Sequence, residues 1–516
     1  MSVPSVASLR RCPTSPDSVP HFSGIRSCGG IDHMVHAMSL LEHMLRNLEM
    51  PRSRNERMPT RTWSTLVFSC GAVIYTLVLA ALAARTSLWV DEVLQLLGTR
   101  DELTITGVLR WVMLNPGGVP LGYLTQRAFI QALGYSVLTA RLPSILFTVL
   151  ACLTVAVMCR QLGLRSGKIA AMLLATSPLV FRYGFEARPY GQALFLSIGT
   201  TVIFLWLQKR PNWRRLGVYT AAIAMGLYTQ PFSVFTPIAH VVSMLFSRGA
   251  SKRAVTASVS WTIRTISAVL LGALLFLPWI LAAYPHWRTS IATSKYAFCL
   301  ELSLVSVILR EGCGSYIIAS LLMVAAVTAL RRRNMPRGAT LLLIAMTLMP
   351  VAGALIADAV AGYFFAARQL LFMLPPLAIL ASEGISELYK MRTSWGTAMF
   401  IGILAASVHQ DIRMVHKPRE DWRAAAASIH RAIEPNGCVV TAPAEWAPLY
   451  EFFEPDLKVH RCGSALGSTE TIVLAITPYT TGEDVRRALA SIAQAGFENS
   501  VAEEAVGSTR LRTFHR

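Results

Sequence analysis

The stretch WSTLVFSCGAVIYTLVLAALAARTSLWVDE, residues 63–92, decides how this chain folds. Its first part, residues 63–84, is a predominantly apolar run that can cross a bilayer core of about 30 Å as a helix. Two adjacent carboxylates, Asp91 and Glu92, follow where the chain leaves the lipid. A carboxylate held at such a boundary can act as a base towards a partner in the membrane. The alternative is that the acidic pair ends a helix and faces water.

The composition is that of a membrane protein. The chain has 516 residues, of which 53% are hydrophobic and only 15% charged, and its mean hydropathy is +0.47. This is too apolar for a soluble protein of such length. The net charge of +19 comes from short basic groups between apolar runs, which indicates topology and not nucleic-acid binding. Nine cysteines occur without C-x-x-C or Cys/His ligand spacing, so we expect no metal site.

Further apolar runs predict an all-α polytopic membrane protein with about eleven transmembrane helices. Basic groups lie in every second loop, and the positive-inside rule places these loops and the N-terminus in the cytoplasm. The remaining loops and the C-terminal region then face the other side. The predicted runs are residues 63–84, 138–159, 169–185, 190–207, 215–229, 231–247, 265–284, 314–330, 339–360, 369–387 and 395–409.

Residues 120–134 are apolar but are not predicted to span the membrane. The segment is short and carries Gln126, Arg127 and Gln131. A charged side chain at the membrane centre costs at least about 2.5–3.5 kcal/mol. We therefore expect an amphipathic helix in the outer interface. This makes the first outer loop long, with Asp91 and Glu92 near its start.

The chain divides into three predicted regions. The N-terminal extension is expected to be disordered, apart from a short amphipathic helix near residues 36–48. A transmembrane region follows, and the composition changes again after Gln410. The last region predicts a small α/β domain with helices at 421–432 and 483–494 and strands at 438–441 and 471–476. The three regions are residues 1–57, 58–410 and 411–516.

Two pairs of cysteines lie in regions predicted to face the outside. Cys438 and Cys462 belong to the C-terminal domain, and Cys299 and Cys313 to one outer loop. Either pair could form a disulfide in an oxidising periplasm. The alternative is that these are free, buried thiols.

Further charged residues fall on the same side as Asp91. Glu186 and Arg188 lie at a hinge between two runs, Arg368 precedes another, and Arg141 stands before Leu-Pro-Ser. Arginine at a lipid boundary suits a bidentate grip on phosphate. Each arginine alone is more typical of a snorkelling anchor than of a ligand, and Glu186 can simply pair with Arg188. Together these residues indicate a site for an anionic substrate in the membrane, with a base beside it.

The order of these motifs resembles the GT-C superfamily of membrane glycosyltransferases. The stretches are Leu-Trp-Val-Asp-Glu at 88–92, Arg-Leu-Pro-Ser at 141–144, Glu-Ala-Arg-Pro-Tyr at 186–190, and Arg368. The resemblance covers about residues 60–410 and is nearest to the RgtA/B/C/D-like branch, related to protein mannosyltransferases and the lipid A aminoarabinose transferase. One departure is Gly-Val-Pro-Leu-Gly-Tyr at 118–123, where the family often has His-Pro-Pro-Leu-Tyr.

The resemblance implies a glycosyltransferase of the bacterial inner membrane with its C-terminal domain in the periplasm. It would move a sugar from a polyprenyl-phosphate carrier, with inversion, to a periplasmic lipid, glycan or protein. It implies no cofactor, although two adjacent carboxylates can also hold a divalent cation. Asp91 would be the catalytic base with Glu92 as its acidic neighbour, and the candidate substrate contacts are Glu186, Arg188, Tyr190, Arg368 and Arg141.

The alternative function is a polytopic transporter or lipid flippase. Transporters tend to place ionisable and helix-breaking residues near the bilayer midplane, in matching positions of repeated halves. Here the charges lie at the boundary and the sequence shows no internal repeat. These features favour the enzyme.

Overall fold

The structure, a computed structural model, describes residues 59–100, 102–115, 117–247, 252–293, 303–361, 366–416, 420–433, 437–458, 460–462, 469–497 and 500–516. The predicted N-terminal extension, with its helix at 36–48, lies outside the described residues, as does Cys299. The site lies within the compact unit of residues 71–516.

The described part of the chain is mostly helical. Short 3-10 segments at Pro231–Val234 and Ala367–Met373 lead into two of the helices. The helices before the C-terminal domain are Pro59–Arg85, Val90–Leu97, Ile105–Leu114, Pro120–Leu133, Val137–Gln161, Gly167–Ala175, Pro178–Gly184, Tyr190–Lys209, Trp213–Thr229, Phe235–Phe246, Lys252–Thr293, Ser303–Cys313, Tyr316–Arg332, Arg337–Ala361, Leu374–Met391 and Thr393–His416.

Seven stretches of the described chain are long and apolar enough to cross a membrane, so the chain is a multi-pass membrane protein. They correspond to seven of the eleven predicted runs. The remaining four runs are also helical but shorter or interrupted. The seven stretches are Thr65–Arg85, Val137–Gln161, Tyr190–Lys209, Ser260–Trp287, Arg337–Ala357, Ala367–Met391 and Thr393–His416.

Proline explains one interruption. The run predicted as one helix at 169–185 is two helices, Gly167–Ala175 and Pro178–Gly184. Pro178 has no backbone N–H, and its ring keeps Ser177 out of the helical region. Ser177 accordingly adopts an extended conformation, with φ −64° and ψ 124°. The helix is therefore interrupted at Ser177. Residues 185–189 follow the second helix and form the loop that carries Arg188, which we call the Arg188 loop.

Small residues let the helices pack closely. The helices Tyr316–Arg332 and Leu374–Met391 make one of the most extensive helix contacts. At Gly384 an added Cβ would lie 1.8 Å from the carbonyl oxygen of Ala325. Only glycine permits this approach, as is common between helices in lipid.

The C-terminal domain contains a four-stranded sheet of β1 (Cys438–Ala442), β2 (Thr471–Ile476), β3 (Ser500–Val506) and β4 (Thr509–His515), in the order β1-β2-β4-β3. β1 and β2 are parallel, whereas β4 is antiparallel to both β2 and β3. The helices predicted at 421–432 and 483–494 and the first two strands are present. Strands β3 and β4 were not predicted. β3, SVAEEAV, is almost entirely exposed and has no apolar face. The main elements are helix Trp422–Ala432, β1 Cys438–Ala442, helix Ala447–Glu451, β2 Thr471–Ile476, helix Gly482–Gln494, β3 Ser500–Val506 and β4 Thr509–His515.

A disulfide joins Cys438 in β1 to Cys462, across a sequence separation of 24 residues. Cys313 is buried as a free thiol. We expect replacing Cys438 and Cys462 by serine to lower the free energy of unfolding of this domain by about 2–4 kcal/mol, because the unfolded chain gains conformational freedom. Protease resistance of the domain across a urea series measures the loss. Cys70→Ser, at an exposed free thiol, is the control, and an equal effect there would contradict the prediction.

The C-terminal domain packs directly on the helix Val90–Leu97, which we call the Asp91 helix. Buried side chains of both regions form one apolar cluster, with Val93 and Leu96 on one side and Trp422, Ala426 and Leu449 on the other. This packing fixes the short helix against the C-terminal domain.

Candidate active site

Two backbone N–H groups at the start of the Asp91 helix donate to carboxylates. The backbone N–H of Trp89 donates to Glu92 Oε2 at 3.2 Å, and that of Val90 donates to Glu420 Oε2 at 2.9 Å. The first N–H groups of a helix have no partner within it, and negative charge there is favourable. The start of the helix, and therefore the position of Asp91, is fixed by these contacts.

Glu92 and Arg141 form a buried ion pair. Arg141 donates from Nε to Glu92 Oε1 at 2.8 Å and from Nη2 to Glu92 Oε2 at 2.7 Å. Glu92 Oε1 also accepts the backbone N–H of Ala187 at 2.6 Å. The other Arg141 hydrogens go to Thr86 Oγ1 and to backbone oxygens of Ala83, Thr86 and Ser87. All five guanidinium hydrogens are thus used by the protein.

This buried pair joins three parts of the chain. The side chains of Glu92 and Arg141 are each 1% exposed. The sequence resemblance implies Glu92 as a member of the catalytic pair and Arg141 as a substrate contact. In the structure the two bind each other, and the sequence could not show this because 49 residues separate them.

Asp91 points the other way and meets two arginines. Its Oδ2 lies 3.4 Å from Arg368 Nη1 and 4.0 Å from Arg188 Nη2. Arg188 Nη1 also donates to the backbone oxygen of Asp91 at 3.3 Å. The side chains of Asp91, Arg188 and Arg368 are 22%, 20% and 23% exposed, so each is partly accessible, whereas the Asp91 Oδ2 atom itself is buried. The structure therefore brings the predicted base and two predicted phosphate ligands together.

Three tyrosines lie close to Arg188 or to one another at this site. The guanidinium carbon of Arg188 lies 5.7 Å from the ring centre of Tyr190, within the range of a cation–π contact. The Tyr190 ring packs edge-on against Tyr183, with centroids 4.8 Å apart. Burial raises the pKa of the Tyr123 phenol, with Arg188 opposing and Asp91 adding to the shift. Tyr123 therefore keeps its proton and remains a donor beside Arg188.

The helix Pro120–Leu133 holds the Arg188 loop in position. At Gly122 an added Cβ would lie 2.4 Å from Cβ of Pro189, so only glycine allows the contact. Gln126 Nε2 donates to the backbone oxygens of Ala140 at 2.9 Å and Ala187 at 3.3 Å. Gln126 and Arg127 were part of the reason for predicting an interfacial helix here and not a membrane span. Both are buried and face the protein.

Two further predicted substrate contacts lie near Arg188, and two residues of the site were not predicted. Glu186 and Tyr190 lie two residues before and two residues after Arg188, and both are 4% exposed. Tyr123 belongs to a stretch that the motif comparison quoted, but it was not assigned to the site. No sequence pattern indicates Glu420, since its partner lies 330 residues earlier. In the parts of the chain that the structure describes, no group of three or more His, Cys, Asp or Glu could hold a metal ion.

The chain has the GT-C fold, so the fold that the sequence resemblance implied is confirmed. ArnT from Cupriavidus metallidurans in the apo state superposes with a TM-score of 0.53 at 12% identity, covering 88% of this chain and 98% of that chain. ArnT bound to undecaprenyl phosphate gives a TM-score of 0.54 at 13% identity, with the same coverage of 88% and 98%.

The sequence itself matches one family model. Residues 116–282 match the dolichyl-phosphate-mannose-protein mannosyltransferase family. This segment includes the helix Pro120–Leu133 and the Arg188 loop. No curated protein sequence matches the chain.

Proposed function

We propose that this protein is a membrane glycosyltransferase that moves a sugar from a polyprenyl-phosphate carrier to an acceptor on the periplasmic side. The acceptor class is a lipid, glycan or protein. The observation that carries the proposal is the meeting of Asp91 with Arg188 and Arg368 at one partly exposed position. This arrangement suits the displacement of a phosphate from carbon, because the carboxylate can accept the proton of the attacking hydroxyl and the arginines can stabilise the charge on the departing phosphate.

The proposed reaction is a single displacement with inversion. An acceptor hydroxyl attacks the anomeric carbon and forms the new glycosidic bond, while its proton passes to the Asp91 carboxylate. The bond between the anomeric carbon and the phosphate oxygen breaks, and the polyprenyl phosphate leaves with the electron pair. Arg188 and Arg368 stabilise the charge that develops on this phosphate. A phosphate leaving group needs no general acid.

The fold supports a polyprenyl carrier as the donor. The similar ArnT structure was determined with undecaprenyl phosphate. In this chain, the residues proposed for the phosphate lie at the ends of long apolar helices, where a lipid-linked phosphate would lie at the membrane boundary. Glu186 and Tyr190 remain proposed donor contacts. For Glu92 and Arg141 we now propose that they orient Asp91 and do not contact the substrate.

The proposed location is a bacterial inner membrane, with the N-terminus in the cytoplasm and the C-terminal domain in the periplasm. Basic groups in alternate loops support this orientation. The Cys438–Cys462 disulfide supports an oxidising compartment for the C-terminal domain. We propose that this domain starts after the helix Thr393–His416, a few residues beyond the predicted boundary at 410/411.

Transfer from labelled donors tests the function. Membranes containing the protein are incubated with a panel of polyprenyl-phosphate sugars labelled in the sugar, and the products are separated into lipid, glycan and protein fractions. The proposal expects label to leave the carrier and enter one fraction only when the protein is present. Movement of intact labelled carrier across the bilayer, without sugar transfer, would instead identify a transporter or flippase.

The arginines provide a second test. We expect Arg188→Gln and Arg368→Gln each to lower kcat/KM about 10–100-fold, because each loses a charge-assisted contact to phosphate of about 1.5–3 kcal/mol. Lysine should restore activity only in part, since it lacks the planar fork. Initial rates with the labelled donor give the measurement. Arg487→Gln, at an exposed arginine of the C-terminal domain, is the matched control. Wild-type kcat/KM in both site variants would contradict the role.

A further inference from the structure

A buried carboxylate, Glu420, joins the C-terminal domain to the Asp91 helix. Glu420 is 8% exposed and stands just before the helix Trp422–Ala432. Its Oε2 accepts the backbone N–H of Val90 at 2.9 Å, from a residue 330 positions earlier in the chain. Within its own domain the carboxylate accepts Nε1–H of Trp422 and the hydroxyl of Tyr479.

Val90 is the first residue of the Asp91 helix and the immediate neighbour of Asp91. The first N–H groups of a helix need partners from outside the helix, and a negative charge is favourable there. Most helices receive this partner from a residue next to them in sequence. Here a different domain supplies it for Val90, so the orientation of the helix start depends on the position of that domain.

Asp91 is consequently fixed on both sides. The residue before it is held by Glu420, and the residue after it, Glu92, is held by Arg141 and the backbone N–H of Ala187. Only the Asp91 side chain remains directed towards the arginines. The apolar cluster that the Asp91 helix shares with the C-terminal domain reinforces the same contact.

We propose that Glu420 is a positioning residue for Asp91, through which the C-terminal domain holds the base in line with the acceptor hydroxyl. This inference rests on the proposed function of Asp91. The hydrogen bonds described for Glu420 go to Val90, Trp422 and Tyr479, and none of these is a proposed phosphate ligand. Glu420 therefore acts on the chemical step and leaves donor binding unaffected.

The variant Glu420→Gln tests the proposal with little change in volume. The amide removes the negative charge at the start of the Asp91 helix. Val90 and Trp422 both donate to Oε2, so the NH2 group must face either the Tyr479 hydroxyl or these two N–H groups. We expect kcat to fall about 10–100-fold, since misplacing a catalytic group by about 1 Å costs up to about 100-fold. KM for the donor should stay unchanged, because the loss arises after binding.

A neighbouring residue supplies the matched control. Asp421→Asn makes the same change from carboxylate to amide one residue later. Asp421 Oδ1 accepts the N–H of Ala424 at 3.1 Å and caps the helix Trp422–Ala432. Asparagine caps helices as well as aspartate does. We expect wild-type kcat for Asp421→Asn. An equal loss in both variants would overturn the proposal, because it would indicate a general effect of the domain.

A milder variant covers the case in which Glu420→Gln does not fold. Tyr479→Phe removes only the hydroxyl that donates to Glu420 and keeps the carboxylate at Val90. It should lower kcat by less than Glu420→Gln does, again at constant donor KM. Wild-type kcat in a folded Glu420→Gln protein, or in Tyr479→Phe if only that variant folds, would overturn the proposal.

Amide hydrogen exchange makes the test independent of transfer activity. In Glu420→Gln, or in Tyr479→Phe in its place, the amides of the Asp91 helix should exchange faster than in Asp421→Asn. Unchanged exchange would overturn the proposal even if kcat falls. If wild-type protein transfers no sugar from any donor in the panel, the proposed function fails, whereas the exchange experiment still decides whether Glu420 holds the helix.

Discussion

Asp91→Asn should reduce sugar transfer by at least about 100-fold, the lower end of what a positioned general base contributes. Asparagine has nearly the same shape as aspartate, but it cannot accept the acceptor proton. The substitution also removes the negative charge that lies 3.4 Å from Arg368 and 4.0 Å from Arg188. The measurement is the initial rate of label transfer at saturating donor, compared between purified wild-type and variant proteins.

Two controls separate a catalytic loss from a folding or binding loss. Asp421→Asn makes the same chemical change outside the site and should keep its activity. Direct binding of undecaprenyl phosphate to Asp91→Asn should persist, because the proposed phosphate ligands Arg188 and Arg368 are retained. A folded Asp91→Asn protein with more than about a tenth of wild-type activity would contradict the assignment, since a lost general base costs more than that.

Arg141→Met should destabilise the protein more than any other substitution considered. It leaves the Glu92 carboxylate charged, buried and without its ion-pair partner, which typically costs about 3–5 kcal/mol. The backbone oxygens of Ala83, Thr86 and Ser87 lose a donor at the same time. We expect a large fall in Tm in detergent, measured by the loss of helical signal on heating.

A second substitution in the same pair checks the reason for this loss. In Arg141→Met with Glu92→Gln, the unpaired charge is gone, so part of the lost stability should return and the two effects should not add. Arg487→Met is the control at an exposed pair, where Arg487 and Glu483 are 70% and 66% exposed. Exposed pairs of this kind contribute little. Equal Tm values for Arg141→Met and Arg487→Met would contradict a structural role of the buried pair.

The sequence indicates which charged residues could belong to the site, but not which of them contact one another. Asp91 and Arg188 could be recognised because each lies where an apolar run ends, and the run itself fixes the depth of the residue in the membrane. Arg368 follows the same rule. Glu92 and Arg141 satisfy the rule equally well, yet they pair with each other and are buried. Position at a boundary therefore selects candidates but does not distinguish a substrate contact from an internal ion pair.

The C-terminal domain shows a similar division. Strands β1 and β2 were predicted because each is a continuous apolar segment, and such a segment indicates a buried strand without reference to the rest of the chain. The edge strand β3 forms because it pairs with β4, and its exposed side chains carry no pattern. Glu420 lies before a predicted helix, but nothing local indicates that its partner is Val90.

The sequence by itself determined that the chain repeatedly crosses a membrane and that acidic and basic residues gather at the ends of its apolar runs. Both properties depend on local composition, since the transfer of each segment into lipid depends on its own side chains. Only the tertiary structure decided which charges meet. It paired Glu92 with Arg141, placed Asp91 between Arg188 and Arg368, and brought Glu420 to Val90. These contacts join distant parts of the chain, and they arise from packing that no single segment specifies.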